Sequence, residues 1–368
     1  MTSGPADGGY GWPPLRAELR GQEPYGAPQL DVPVCLNVNE NPYGPSQEVV
    51  DDIAAAVGRV AGELNRYPDR EFVELRDALA DYLAKESGVA LTREQVWAAN
   101  GSNEVMLQLL QAFGGPGRTA VSFAPTYSMY PEYARDSMTR WVAGRRREDF
   151  GFDLEHAREL VAEHLPSVIL LPSPNNPTGT ALPREVVGEL ARIAPGVVVI
   201  DEAYAEFRRT GTASALELLT EHPNLVVTRT MSKAFALAGA RIGYLAADPV
   251  LCDALRVVRL PYHLSAVTQA TGCAALRHAD ELLARVEDLR RERDRTVAWL
   301  RAEGFEVADS DANFALFGRF DDRHAVWQGL LEHGVLVRET GPDGWLRVSI
   351  GTPAEMTAFQ DALMEVTR

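Results

Sequence analysis

The chain has 368 residues and a mass of 40.3 kDa, too long for one small module and suited to a large domain with a smaller one. It is 46% apolar and 24% charged, the mixture of a globular protein with a sizeable core. Its formal charge of −16 argues against nucleic-acid binding as a main role, because an acidic chain repels phosphate backbones, and no apolar run approaches the ~20 residues of a membrane helix.

Residues 1–14 hold Gly, Pro and Asp instead of a basic-then-apolar leader, and read as a short disordered arm. Val34 to Asn39 is a short apolar stretch closed by Asn41-Pro42-Tyr43-Gly44-Pro45. Val49 to Leu64 and Phe72 to Lys85 read as amphipathic helices, separated by Arg66-Tyr67-Pro68-Asp69, where proline imposes extended or turned backbone. From residue 95, short apolar runs alternate with helical patterns. Val96–Ala99, Thr119–Phe123, Val168–Leu171, Val197–Ile200 and Leu225–Thr228 suit strands buried on both faces, hence a largely parallel sheet wrapped by helices. Polar or glycine-rich segments follow these strands, where open α/β sheets bind ligands. Glu281 to Glu303 reads as one long charged helix. After it, Phe305–Val307, Phe314–Phe317, Val335–Arg338 and Trp345–Ile350 are expected strands of a second, α+β domain. The last helix opens with Thr352-Pro353-Ala354-Glu355, the spacing of a capping box.

Cys35, Cys252 and Cys273 are scattered and odd in number, which argues against a disulfide framework or a metal knuckle and for a reducing compartment, the cytoplasm. Only two of the 36 basic residues are lysines, Lys85 and Lys233. Lys85 sits at an amphipathic helix end and reads as solvated. Lys233 follows a strand among small residues, Ser232-Lys233-Ala234-Phe235-Ala236. A lysine amine whose surroundings lower its pKa becomes a nucleophile; the same segment alone is equally an ordinary strand-end lysine. Asp201 ends an apolar strand, where a carboxylate is costly to bury without a cation; a protonated pyridine nitrogen is such a cation, and a helix cap is the plainer alternative. Tyr204, three residues on, has a hydroxyl that could donate to a phenolate oxygen. Asn176 sits in the stiff loop Pro174 to Gly179, Ser102 and Asn103 open a helix whose free N–H groups suit a phosphate, and Tyr127 suits stacking on a flat ring. Each of these, alone, has a structural explanation.

Together they supply an amine, a pyridinium partner, ring-oxygen donors, a stacking face and a phosphate cradle. Their order resembles the class I/II aminotransferases of fold type I, and more narrowly the histidinol-phosphate branch of that family. The likeness rests on Asn37 to Pro45, Arg66 to Asp69, Asn100 to Glu104, Ser173 to Gly179, Asp201 to Tyr204, Thr230 to Tyr244 and Pro261 to Ser265. It implies pyridoxal 5′-phosphate as cofactor and no metal. It also implies a large domain over residues 49–275 with a mostly parallel, seven-stranded sheet, and a small domain over 276–368 joined by 15–48. Lys233 is then the residue that carries the cofactor and shuttles the proton, and Asp201 the partner of the ring nitrogen. Asn176 and Tyr204 bond the ring hydroxyl oxygen, and Tyr127 stacks on the ring. Ser102, Asn103, Thr230, Ser232 and Arg241 hold the cofactor phosphate, with Tyr67 reaching it from the second subunit of a homodimer. Tyr25, Asn39, Tyr262, Arg338 and Arg347 are the substrate-binding positions. The implied reaction transfers an amino group between L-histidinol phosphate and 2-oxoglutarate, giving imidazole acetol phosphate and L-glutamate, in histidine biosynthesis. An aromatic-amino-acid aminotransferase and a threonine-phosphate decarboxylase share the scaffold; a transcription factor with a degenerate domain would need a DNA-binding module that the N-terminal arm is too short to hold.

One pairing is legible from geometry. Gly341-Pro342-Asp343-Gly344 marks a hairpin, and symmetry about Pro342 and Asp343 sets position 338 opposite 347. Opposed residues share a sheet face, so two like charges there make sense with an anion between or near them; the alternative is that Arg338 pairs with Glu339 or Glu332.

Overall fold

The computed structural model describes residues 15–368; the arm expected over 1–14 lies outside the described residues. The first strand, β1 (Val34–Cys35), is followed by β2 (Val96–Ala99), β3 (Thr119–Ala124), β4 (Arg140–Arg145), β5 (Val168–Pro172), β6 (Val197–Asp201), β7 (Leu225–Thr230) and β8 (Gly243–Ala247). The last seven form one sheet in the order β2-β8-β7-β6-β5-β3-β4. Every pair in it is parallel except those made by β8, which runs antiparallel to both β2 and β7. All residues of β2, β5, β6, β7 and β8 are buried, which explains the apolar runs they are built from; the buried polar residues come at the carboxyl ends of β6 and β7. Helices such as Arg184–Ile193 cover the sheet by turning Val187, Leu190 and Ala191 inward.

Two strands of the seven-stranded sheet have no counterpart among the sequence-based expectations. β4 is an edge strand that starts and ends in arginine and is mostly not buried, so its apolar run is short. β8 is rich in Gly and Ala, which have weak strand preference, and is held in place by two neighbours. Because the chain returns directly from β7 to β8, Lys233 lies in a loop between antiparallel neighbours, and Thr230 faces Gly243 across its base.

A second core lies beyond the long helix Ala279–Ala302. There β9 (Glu306–Val307), β10 (Phe314–Gly318), β11 (Val335–Leu336), β12 (Arg338–Glu339) and β13 (Trp345–Ser349) follow. The four-stranded sheet is β12-β13-β10-β9, all antiparallel, while β11 pairs in parallel with β1. The expected strand Val335–Arg338 is therefore two strands that change partners at Val337. Leu36 of the N-terminal segment packs into this core with Phe314, Phe317, Val348 and Phe359. The expected capping box is present: Thr352 Oγ1 accepts from the Glu355 N–H at 3.3 Å, and Glu355 Oε2 accepts from the Thr352 N–H at 2.7 Å. Among the described residues no helix is long and apolar enough to cross a membrane.

Candidate active site

The carboxyl ends of β5, β6 and β7 open into a cavity of about 460 Å³, which the N-terminal segment and the β12–β13 hairpin also line. It brings together every site residue expected from the sequence except Tyr67 and Tyr262.

Lys233 Nζ is buried and donates to the Val38 carbonyl at 2.8 Å. Burial, with Arg347 and Arg241 nearby, lowers its pKa to about 8, so roughly a tenth is the neutral, nucleophilic amine at pH 7, far more than for an ordinary lysine. Lys85 instead pairs with Asp280 on the surface, as expected of a solvated lysine.

Asp201 is 6% exposed at the end of β6. Its Oδ2 accepts from Tyr130 Oη at 3.0 Å and its Oδ1 from Thr228 Oγ1 at 3.1 Å, and the Ala203 N–H also donates to it. Burial nonetheless pushes its pKa up to about 6. Among the described residues no lysine, arginine or histidine pairs with it. Tyr204 is buried and accepts from Asn39 Nδ2 at 3.0 Å. Asn39 is held in turn by Ser349, whose Oγ donates to Asn39 Oδ1 at 2.9 Å and accepts from the Asn39 N–H at 2.8 Å.

The cradle forms where the helix Ser102–Phe113 starts beside the β7–β8 loop. The first N–H groups of a helix have no intrahelical partner, and Thr230, Ser232 and Arg241 complete the ring around Ser102 and Asn103. Arg241 Nη1 donates to Ser232 Oγ at 3.3 Å, and Thr230 Oγ1 accepts from the Ser232 N–H at 3.1 Å. Two glycines allow this crowding. A Cβ at Gly101 would strike the Arg241 guanidinium, and one at Gly243 would strike the Ser102 backbone nitrogen.

Arg347 is 6% exposed. Its Nη1 donates to Asn176 Oδ1 at 2.5 Å and its Nη2 to the Asn37 carbonyl at 2.8 Å, while Nε is buried without a partner. Arg338 reaches the Gly26 carbonyl at 3.2 Å. The alternative pairing of Arg338 with Glu339 does not form, because Glu339 is engaged by His324 at 3.1 Å and Arg323 at 3.9 Å. Tyr25 crosses the mouth and shares a hydrogen bond with Ser128 at 3.1 Å. Tyr67 and Tyr262 lie elsewhere, on the surface, stacked with ring centroids 4.4 Å apart.

Three features had no place in the expected site. Tyr130 and Thr228 bond Asp201 from distant segments. Behind the site Arg229, 1% exposed, meets Glu202 at 2.8 Å, Glu86 at 3.0 Å and Glu206 at 3.3 Å. Glu202 follows Asp201 and Arg229 precedes Thr230, so this buried cluster ties the backbones of two site segments together. Tyr130 carries a sequence signal, its three-residue spacing from Tyr127; the cluster carries none, since its acids and bases are far apart in the chain.

The residues fit pyridoxal 5′-phosphate: a reactive amine, a cradle of free N–H groups with an arginine, and a buried carboxylate lacking a cation. The chain matches the sequence profile of the aminotransferases of class I and II over residues 32–363. It is similar to the histidinol-phosphate aminotransferase of Thermobifida fusca, 62% identical over 354 residues that cover 96% of this chain and 95% of that one. The corresponding protein of Bifidobacterium longum is 58% identical over 96% of this chain and 97% of its own. The structure superposes on a crystal structure of histidinol-phosphate aminotransferase from Sinorhizobium meliloti in complex with pyridoxal-5′-phosphate, with a TM-score of 0.81, 27% identity and 91% of both chains covered. It also matches Thermus thermophilus aspartate aminotransferase with maleate, with a TM-score of 0.76, 26% identity and 90% of each chain covered. The chain belongs to the class I and II aminotransferases.

Proposed function

We propose that the chain catalyses reversible amino-group transfer between L-histidinol phosphate and 2-oxoglutarate, giving imidazole acetol phosphate and L-glutamate, in histidine biosynthesis. The observation that carries this reading is the cavity in which Lys233, Asp201 and two arginines, without carboxylate partners among the described residues, converge. Pyridoxal 5′-phosphate, when bound, supplies the aldehyde that receives the amino group and a ring that accepts the electron pair released at the substrate carbon. The protein does the rest. Lys233 Nζ holds the cofactor and moves a proton to and from the substrate carbon. Asp201 stabilises positive charge on the ring nitrogen, and Asn176 and Tyr204 orient the ring through its hydroxyl oxygen. Tyr127 stacks on the ring, and Ser102, Asn103, Thr230, Ser232 and Arg241 anchor the phosphate. Arg347 and Arg338 serve two anions in turn, the carboxylates of glutamate and the phosphate of histidinol phosphate. Tyr25 extends the phosphate site, and Asn39 holds Tyr204.

The working unit is a homodimer in this reading. Tyr67 is 79% exposed and lies apart from its own chain's cavity, stacked on Tyr262; Leu64 and Leu260, near these tyrosines in sequence, are exposed too. That surface suits a second copy, to whose site Tyr67 and Tyr262 are delivered. Residues 15–48 group with 276–368 as a small domain, because β1 pairs with β11 and Leu36 enters the C-terminal core. Free Cys35, Cys252 and Cys273 suit the cytoplasm.

A panel of histidinol phosphate, phenylalanine, tyrosine and threonine phosphate, each with 2-oxoglutarate, tests the reading. Histidinol phosphate should give the highest kcat/KM. A higher value for phenylalanine or tyrosine would make it an aromatic-amino-acid aminotransferase, and carbon dioxide from threonine phosphate would make it a decarboxylase. Sedimentation as a monomer would overturn the dimer.

A further inference from the structure

Tyr130 is fully buried, and its hydroxyl makes one hydrogen bond, to Oδ2 of Asp201, 71 positions later in the chain. The segment that delivers it is compact. The Tyr130 N–H donates to the Tyr127 carbonyl at 3.1 Å, a turn that sets the two rings edge to face at 5.5 Å. One turn thus sends Tyr127 to the cavity wall and Tyr130 beneath it to the carboxylate.

We propose that Tyr130 is a positioning residue for the cofactor ring: its hydroxyl keeps Asp201 ionised and fixed for the ring nitrogen. The inference rests on the reading of Asp201 as that nitrogen's partner. A buried carboxylate tends to take up a proton and become neutral, and a donated hydrogen bond opposes this by favouring the charged form. Asp201 lies in that balance, with burial raising its pKa and Tyr130 and Thr228 lowering it. The other titratable groups around it offer no countercharge. Glu202 raises its pKa further, although Arg229 takes up most of that charge. Tyr127, Tyr133 and Tyr204 face it as phenols held neutral by burial. Asp201 and the ring nitrogen share one proton. A weaker donor at position 130 makes the carboxyl the stronger base and draws that proton away from the nitrogen.

The test uses holoenzyme reconstituted with cofactor labelled with ¹⁵N at the ring nitrogen, whose chemical shift reports whether it carries a proton. Tyr130→Phe should lower the share of the proton held by the nitrogen at a given pH, moving its shift toward the unprotonated value, and weaken cofactor binding to the apoprotein about tenfold. Asp201→Asn is the reference and should abolish the protonated signal. If Asp201→Asn leaves the signal unchanged, the reading of Asp201 fails. If it moves the signal while Tyr130→Phe leaves both chemical shift and affinity as in the wild type, the hydroxyl only satisfies a buried bond and the proposal is overturned. Should Tyr130→Phe fail to fold, 3-fluorotyrosine at position 130 keeps the ring shape with a more acidic, stronger donor. It should raise the protonated share of the nitrogen, and an unchanged or lowered share overturns the proposal.

Discussion

Arg338 and Arg347 face each other across the β12–β13 ladder, with no carboxylate paired to either among the described residues. Like charges directly opposed in a sheet repel. Arg347 is also buried, its pKa lowered first by burial and further by Arg338. The strain is relieved when an anion occupies the cavity that both residues line. Arg347→Ala should therefore weaken glutamate and 2-oxoglutarate by roughly 2–5 kcal/mol while cofactor affinity stays unchanged. Arg347→Lys should restore little, because an ammonium lacks the planar fork. A KM for 2-oxoglutarate within twofold of wild type would disprove the assignment.

The buried Lys233 amine gives a pH signature in the apoprotein. Its folded pKa, about 8, lies below the ordinary 10.5. Between those values the unfolded chain binds the extra proton, so this group's contribution to stability rises with pH across that window. Below pH 8 both states are protonated and the full cost of burying the charge remains. Lys233→Met should thus stabilise the apoprotein at pH 7 by an amount on the order of 2 kcal/mol. The gain should fade as pH climbs from 8 toward 10.5, as urea unfolding at several pH values would reveal. Uptake of cofactor by the wild-type apoprotein should accelerate over the same rise, with a midpoint near pH 8.

Gly243 controls the phosphate cradle from outside it. A Cβ added there would meet the Ser102 nitrogen, so any side chain displaces the helix start beside Arg241. Gly243→Ala should weaken cofactor binding at least tenfold, an estimate equal to the loss of one or two hydrogen bonds to a charged group. Fluorescence titration of the apoprotein measures this directly, and an unchanged dissociation constant would show that the cradle tolerates the shift.

The cluster behind the site predicts a stability effect without a change of chemistry at the substrate. Arg229→Met leaves Glu202, Glu206 and Glu86 without their shared cation. Removing one partner of a buried ion pair costs about 3–5 kcal/mol. Urea denaturation should show a loss of that size, and a loss below about 1 kcal/mol would mean that water or Arg208 replaces the guanidinium.

The residues nearest the chemistry were legible because each occupies a short, local device. Asp201, Thr230 and Lys233 sit at or just after strand ends, Asn176 in a stiff loop, and Ser102 at a helix start. The pairing of Arg338 with Arg347 was also legible, because a tight turn fixes hairpin register within a few residues. What packing decides was not. β4 and β8 carry weak strand signals and exist because neighbouring strands hold them. The lowered pKa of Lys233 and the raised pKa of Asp201 arise from burial, to which segments far apart in the chain contribute. The Tyr130 bond to Asp201, the Arg229 cluster and the contact of Gly243 with Ser102 join positions that no local spacing relates. Sequence determines which backbone elements and reactive groups are available; only the closed core decides which meet, how dry they are and therefore which charge each carries.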